Sequence, residues 1–157
     1  MNSLGSAVPR VAVRQALPRL RLRLLLIPVL LRILWLHYTC SQAGQFARLG
    51  RRASRPGEPL PDSWAFWAAH RIGRFVFRTP MLQRRACYWR SQMIFDILPR
   101  FGFPVRMHLG AARNEGARDR GAVHMWVSLR GAVLGGANDG PAKYSELATY
   151  ESEVAHD

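Results

Sequence analysis

Two side chains in this sequence have the types and placement to carry out a reaction. Cys87 stands at the start of an apolar helical segment, and His124 lies on a strand-like segment further on. A cysteine in the first turn of a helix has its thiolate favoured by the positive end of the helix dipole. A histidine within hydrogen-bond reach can hold the proton and leave sulfur a strong nucleophile. The pair therefore suggests covalent attack on a carbonyl. A plainer reading stands beside it, with Cys87 as a small buried apolar residue and His124 as a satisfied polar residue in a strand. Residue types alone leave both open. Other chemistries find no footing. There is no P-loop, GxGxxG, HExxH or GxSxG pattern. The five histidines, His37, His70, His108, His124 and His156, lack metal-ligand spacing. Cys40 and Cys87 form neither a disulfide framework nor a CxxC pair, which favours a reducing compartment.

The elements that must position these residues fall into two groups. Pro61-Asp62-Ser63 offers an N-cap, and Trp64, Trp67, Ala68, Ile72, Phe75 and Val76 follow at helical spacing, predicting a helix to about Phe77. Thr79-Pro80 breaks it. Ala86 to Leu98 reads as the next helix, with Cys87, Ser91, Ile94 and Leu98 on one stripe and Pro99 and Gly102 at its end. Beyond Gly102 the period falls to two. Val105, Met107 and Leu109 share one face of a strand, with Arg106 and His108 on the other. A polar loop, a second strand over Ala122–Leu129, an Arg130-Gly131 turn and a short return through Ala132, Val133 and Leu134 complete a hairpin. The acidic tail from Ser145 to Asp157 suggests a short helix. Helices followed by a small antiparallel sheet make an α+β fold.

The 157 residues are 48% hydrophobic and 21% charged, which excludes wholesale disorder and suits one domain with an arm. The formal charge of +13 is uneven. Ten arginines (Arg10, Arg14, Arg19, Arg21, Arg23, Arg32, Arg48, Arg51, Arg52, Arg55) precede the first acid, Glu58. From Glu58 onward 13 basic and 10 acidic residues leave only +3. The chain thus divides into an arginine-rich, amphipathic helical arm and linker over 1–58 and a folded domain over 59–157. Within the arm, Leu17, Leu20, Leu24, Ile27, Leu31, Leu34 and Tyr38 mark one face of a helix that Pro28 would kink. The uncharged stretch Leu24–Leu31 is far short of the ~20 residues needed to span a bilayer. Such a helix docks on the domain or a partner, lies at a membrane surface, or serves as an organelle transit peptide. Gly44 to Pro61 reads as a loop or linker.

The sequence Arg85-Ala86-Cys87-Tyr88-Trp89-Arg90-Ser91 resembles the R-x-C-x-x-R-S/A stretch of the lasso-peptide maturation proteases. These are transglutaminase-like cysteine peptidases of the microcin-processing B-protein C-terminal domain family. The segment GFPVRMHLG, Gly102 to Gly110, is similar to that family's turn and first strand. Ala122-Val123-His124-Met125-Trp126-Val127 with Arg130-Gly131 is similar to its A-x-A-H-A-W-V-x-x-x-G hairpin. The likeness covers about residues 60 to 150. Two positions depart from the pattern: Tyr88 stands where the family has Leu, and Met125 where it has Ala.

The resemblance implies a transglutaminase/papain-like core and a peptidase that removes the leader of a ribosomally made precursor peptide. Cys87 is the implied nucleophile and His124 the base. The family's acid follows the histidine, which points to Asp139, with Asn138 beside it as the alternative. Hairpin counting agrees, since His124 precedes the turn by six residues and faces about Ala137 across the ladder. Gln83 is a candidate second oxyanion donor beside the Cys87 backbone N–H. The implied partners are the precursor peptide, a small leader-recognition protein and an asparagine-synthetase-like cyclase that uses ATP. The protease itself implies no cofactor or metal. A cytoplasmic location follows, with peripheral membrane contact through the arm left open and no nucleic acid expected. The rival reading is a non-enzymatic, arginine-rich membrane- or nucleic-acid-binding module in which Cys87 and His124 are structural.

Overall fold

A computed structural model describes residues 10–49, 60–112, 123–135 and 144–152. The helices are α1 (Arg10–Thr39), α2 (Gln42–Leu49), α3 (Asp62–Arg78), α4 (Pro80–Gln83) and α5 (Ala86–Ile97), and α5 runs into a 3-10 turn at Leu98–Phe101. The strands β1 (Val105–Ala112), β2 (Val123–Leu129), β3 (Ala132–Leu134) and β4 (Tyr144–Glu151) follow. They form one antiparallel sheet in the order β3-β2-β1-β4. The α+β order expected from the sequence is the order observed.

Alternation fixes which face of the sheet meets the helices. The β1–β2 register sets Val105 opposite Leu129, Met107 opposite Val127 and Leu109 opposite Met125. All six pack into one apolar cluster with Met93, Ile94, Phe95 and Ile97 of α5. Each such side chain contributes roughly 1.5–3 kcal/mol on full burial. The other face carries Arg106, His108 and Gly110 of β1 and His124, Trp126 and Ser128 of β2. The hairpin turns where expected, with Arg130 at φ 50° and Gly131 at φ 83°. Two left-handed residues in succession match the twist of a two-residue hairpin, and glycine takes the second place without steric cost. Arg130 Nη1 donates to Asp62 Oδ2 at 3.0 Å, tying the turn to the start of α3. The N-cap of α3 is Pro61, with no side-chain cap bond, so Asp62 lies inside the first turn.

Helix α1 docks by a different face from the one its spacing predicts. Leu22, Val29, Ile33 and Leu36 are buried in the main core. Leu17, Leu20, Leu24, Ile27, Leu31 and Tyr38 are instead 54 to 83% exposed, and Leu34 is half-buried. The reason is electrostatic as well as apolar. Asp96 of α5 has no exposed side-chain surface and binds Arg32 of α1 through one oxygen and Arg100 Nη2 through the other at 2.5 Å. A buried carboxylate needs such partners, so Arg32 turns inward and brings its face of α1 with it. The helix continues through Pro18 and Pro28.

Two further expectations change. Part of the segment read as a loop over Gly44–Pro61 is α2, which buries Gln45, Phe46 and Leu49; residues 50–59 lie outside the described residues. Of the tail read as a helix, residues 145–151 belong to β4, paired along β1 from Arg106↔Glu151 to Ala112↔Tyr144 with a bulge at Leu109/Gly110, and residues 153–157 lie outside the described residues. The unpaired edge of β1 overrides the helical preference of Ser-Glu-Leu-Ala.

Candidate functional site

Cys87 is the second residue of α5, and its thiol is free and half-buried. The turn that carries it is held from α1 and α2. His37 Nδ1 and the Tyr88 hydroxyl are 2.9 Å apart. That hydroxyl donates to Gln45 Oε1 at 3.2 Å, so it accepts from His37. Gln45 Nε2 donates in turn to Gln92 Oε1 at 2.6 Å. Trp89 packs edge-on against the His37 ring. Tyr88 thus anchors the Cys87 turn through bonds that a leucine could not make.

One turn beyond Cys87, the Ser91 hydroxyl donates to the Met125 carbonyl at 2.9 Å. Arg90 Nη1 donates to the Gly135 carbonyl at 3.1 Å. Met125 is the chain neighbour of His124, so these bonds bring the first turns of α5 to the N-terminal end of β2. The described β2–β3 ladder stops at Val127↔Leu134.

The His124 imidazole lies on the sheet face away from Met125. It stacks on Tyr144, with centroids 4.6 Å apart, and on Trp126 at 6.2 Å. Its Nε2 is shielded from solvent. Trp126 stacks on His108 at 5.2 Å with the rings 6° from parallel. Four rings from β1, β2 and β4 therefore form one continuous stack. Gly110 makes room for it, because a Cβ there would stand 2.8 Å from Trp126 Cζ3. Cys87 and His124 thus flank one end of β2 from its helix and open sides, and among the described residues no hydrogen bond joins them. Asp139 and Asn138 lie outside the described residues. The Gln83 amide, expected as an oxyanion donor, is engaged by the Phe77 carbonyl at 2.8 Å.

A second polar array was not legible in the sequence. Ser128 Oγ lies 2.8 Å from His108 Nε2, and His108 Nδ1 lies 2.6 Å from Glu146 Oε2. Thr149 Oγ1 donates to Glu146 Oε1 at 2.7 Å. The Thr149 hydroxyl first, and then His108, hold the Glu146 carboxyl below its ordinary value of 4.5. Ser128, His108 and Glu146 line a cavity of about 520 Å³ together with Arg106 and Arg130. Their order is that of a Ser–His–acid relay. Ser128, however, sits within the sheet, paired to Arg106 on one side and Val133 on the other. Its backbone N–H therefore belongs to the ladder and is not aimed at a reacting oxyanion. The array braces His108 flat against Trp126. Strand alternation places His108 on the open face, but Glu146 becomes its partner only once the tail is a strand.

Among the described residues, no cluster of metal-ligating side chains occurs and no helix is long and apolar enough to cross a membrane. A profile of the family described as Transglutaminase-like superfamily, Transglut_core3, matches residues 24–149. No curated protein and no solved structure matches the chain. The matched span runs from within α1 into β4 and includes Cys87 and His124.

Proposed function

The chain belongs to the transglutaminase-like superfamily, and from that premise we propose that it is a cysteine peptidase that removes the leader from a ribosomally synthesised precursor during lasso-peptide maturation. One observation carries the reading. The turn of α5 that follows Cys87 is fastened by the Ser91–Met125 bond to the end of β2 that carries His124 on its other face. The local likeness of residues 85–91 and 122–131 to lasso-peptide proteases supplies the substrate class.

In this mechanism Cys87 sulfur attacks the scissile carbonyl as His124 takes the thiol proton. The N-terminal N–H groups of α5, with that of Cys87, face the oxyanion. His124 then protonates the leaving amine, and water, deprotonated by the same imidazole, hydrolyses the thioester. Asp139 accepts from the imidazole and holds its tautomer. Among the described residues of the free chain no hydrogen bond joins sulfur and imidazole, so in this mechanism the two groups must be brought together when substrate binds. The partners are the precursor, a small leader-recognition protein and an ATP-using, asparagine-synthetase-like cyclase.

The test is incubation with lasso-type precursor peptides, followed by mass spectrometry. Cys87→Ala abolishes leader removal with the fold intact, since the volumes are close. Cys40→Ala retains it, because the Cys40 sulfur accepts from Arg48 at 3.3 Å and has no histidine partner among the described residues. Equal cleavage by wild type and Cys87→Ala ends the proposal.

A further inference from the structure

We propose that α1 and the cleft beside it form a docking surface for a membrane of anionic phospholipids. The helix has two apolar faces and only one is buried. Leu17, Leu20, Leu24, Ile27, Leu31, Trp35 and Tyr38 remain more than half exposed. They recur every three or four residues, so they form a continuous stripe about 30 Å long at 1.5 Å per residue. An apolar stripe of that extent marks an interaction site. Its chemistry, aliphatic along the length with Trp and Tyr at one end, is that of a helix lying in a bilayer interface.

The charge beside the stripe selects the partner. Arg23 stands on the flank of α1 between the buried and exposed faces. It lines a cavity of about 230 Å³ between α1 and α3 with Arg71, Arg74 and Arg78, over a floor that includes Trp67 and Phe75. None of its lining residues is acidic. Among the described residues none of these four arginines forms an ion pair, and residues 1–57 contain no acid. Four guanidinium groups over an aromatic floor, adjoining an exposed aliphatic stripe, fit a phosphate headgroup whose acyl chains lie alongside. A protein partner would need an acidic ridge and an apolar ridge at that same spacing, whereas a lipid surface presents both everywhere.

The test is sedimentation of the full chain with phosphatidylglycerol–phosphatidylcholine vesicles and with phosphatidylcholine vesicles alone. The chain binds the anionic vesicles at low salt and leaves them progressively as salt rises toward about 0.5 M. Replacing Arg23, Arg74 and Arg78 by Gln lowers the partition about fivefold per arginine. Leu24→Ser, Ile27→Ser and Leu31→Ser together lower it at least tenfold. All six side chains are exposed, and unchanged thermal unfolding confirms that the variants fold. Equal binding to both vesicle types, or none to the anionic ones, overturns the proposal. So does a dimer in sedimentation equilibrium that the three serine changes dissolve, since a second copy would then cover the stripe. Stabilisation by inorganic phosphate without vesicle binding would put a small anion in the cleft and overturn it equally.

Discussion

Gly110→Ala probes how the ring stack holds His124. The added Cβ would stand 2.8 Å from Trp126 Cζ3, 2.9 Å from Cη2 and 3.0 Å from the Ser145 carbonyl oxygen. Ordinary contact begins near 3.4 Å, so the indole must withdraw by about 0.6 Å. It is 2% exposed and confined between His108 and His124, so its shift passes to both imidazoles. Overpacking of this kind costs about 1–3 kcal/mol, which lowers Tm by about 2–12 °C in a domain of this size. Under the proposed mechanism, displacing His124 costs roughly tenfold to a hundredfold in rate, because errors near 1 Å cost about a hundredfold. Differential scanning calorimetry and leader-cleavage rates measure the two effects. Trp126→Phe removes the two ring atoms that meet the Cβ, so the double variant is more stable than the sum of the single changes. A Gly110→Ala protein with wild-type Tm and rate refutes the stack as a positioning device. A double variant that is merely additive shifts the constraint to the Ser145 carbonyl.

Asp139→Asn lowers the cleavage rate by about two orders of magnitude or more, while Asn138→Ala has a much smaller effect; the reverse order of rates would give the orienting role to the amide. Asp96→Asn leaves Arg32 and Arg100 without their buried carboxylate and costs about 3–5 kcal/mol by urea unfolding; a loss below ~1 kcal/mol would mean that α1 does not depend on that pair. Glu146 titrates below its ordinary value of 4.5 in the folded chain, so its stabilising contribution is complete above that value and is lost as pH falls through the lower one. The Tm difference between wild type and Glu146→Gln therefore shrinks on acidification, and a difference that stays constant to low pH contradicts the bond from Thr149.

The sequence made legible what local punctuation controls. Pro61, Thr79-Pro80 and Pro99 bracket α3 and α5, and Arg130-Gly131 sets the hairpin, because proline and paired left-handed residues act on their own neighbours. The buried face of α1 was not legible. Residues 22–36 are apolar nearly all round, and the choice of face depends on a carboxylate at Asp96, on another helix. Helix α2 was hidden by Gly44 and its short length. Strand β4 was hidden because its pairing with β1 is a long-range fact, and with it went the Glu146–His108 contact. Cys87 and His124 stood out by type and by local likeness, whereas Trp126, Gly110 and Tyr88 gained roles only when distant elements met.

Arg32 and Asp96 meet across 64 residues of chain. At synthesis rates of about 5–20 residues per second, α1 leaves the ribosome roughly 3–13 s before its receptor carboxylate exists. Through that interval a 30-residue helix, apolar on two faces, has no docking site of its own. Folding must wait for α5, and a nascent chain stalled before it carries the helix fully uncovered. Slowing translation between α1 and α5, with every amino acid unchanged, raises the aggregated fraction of the product.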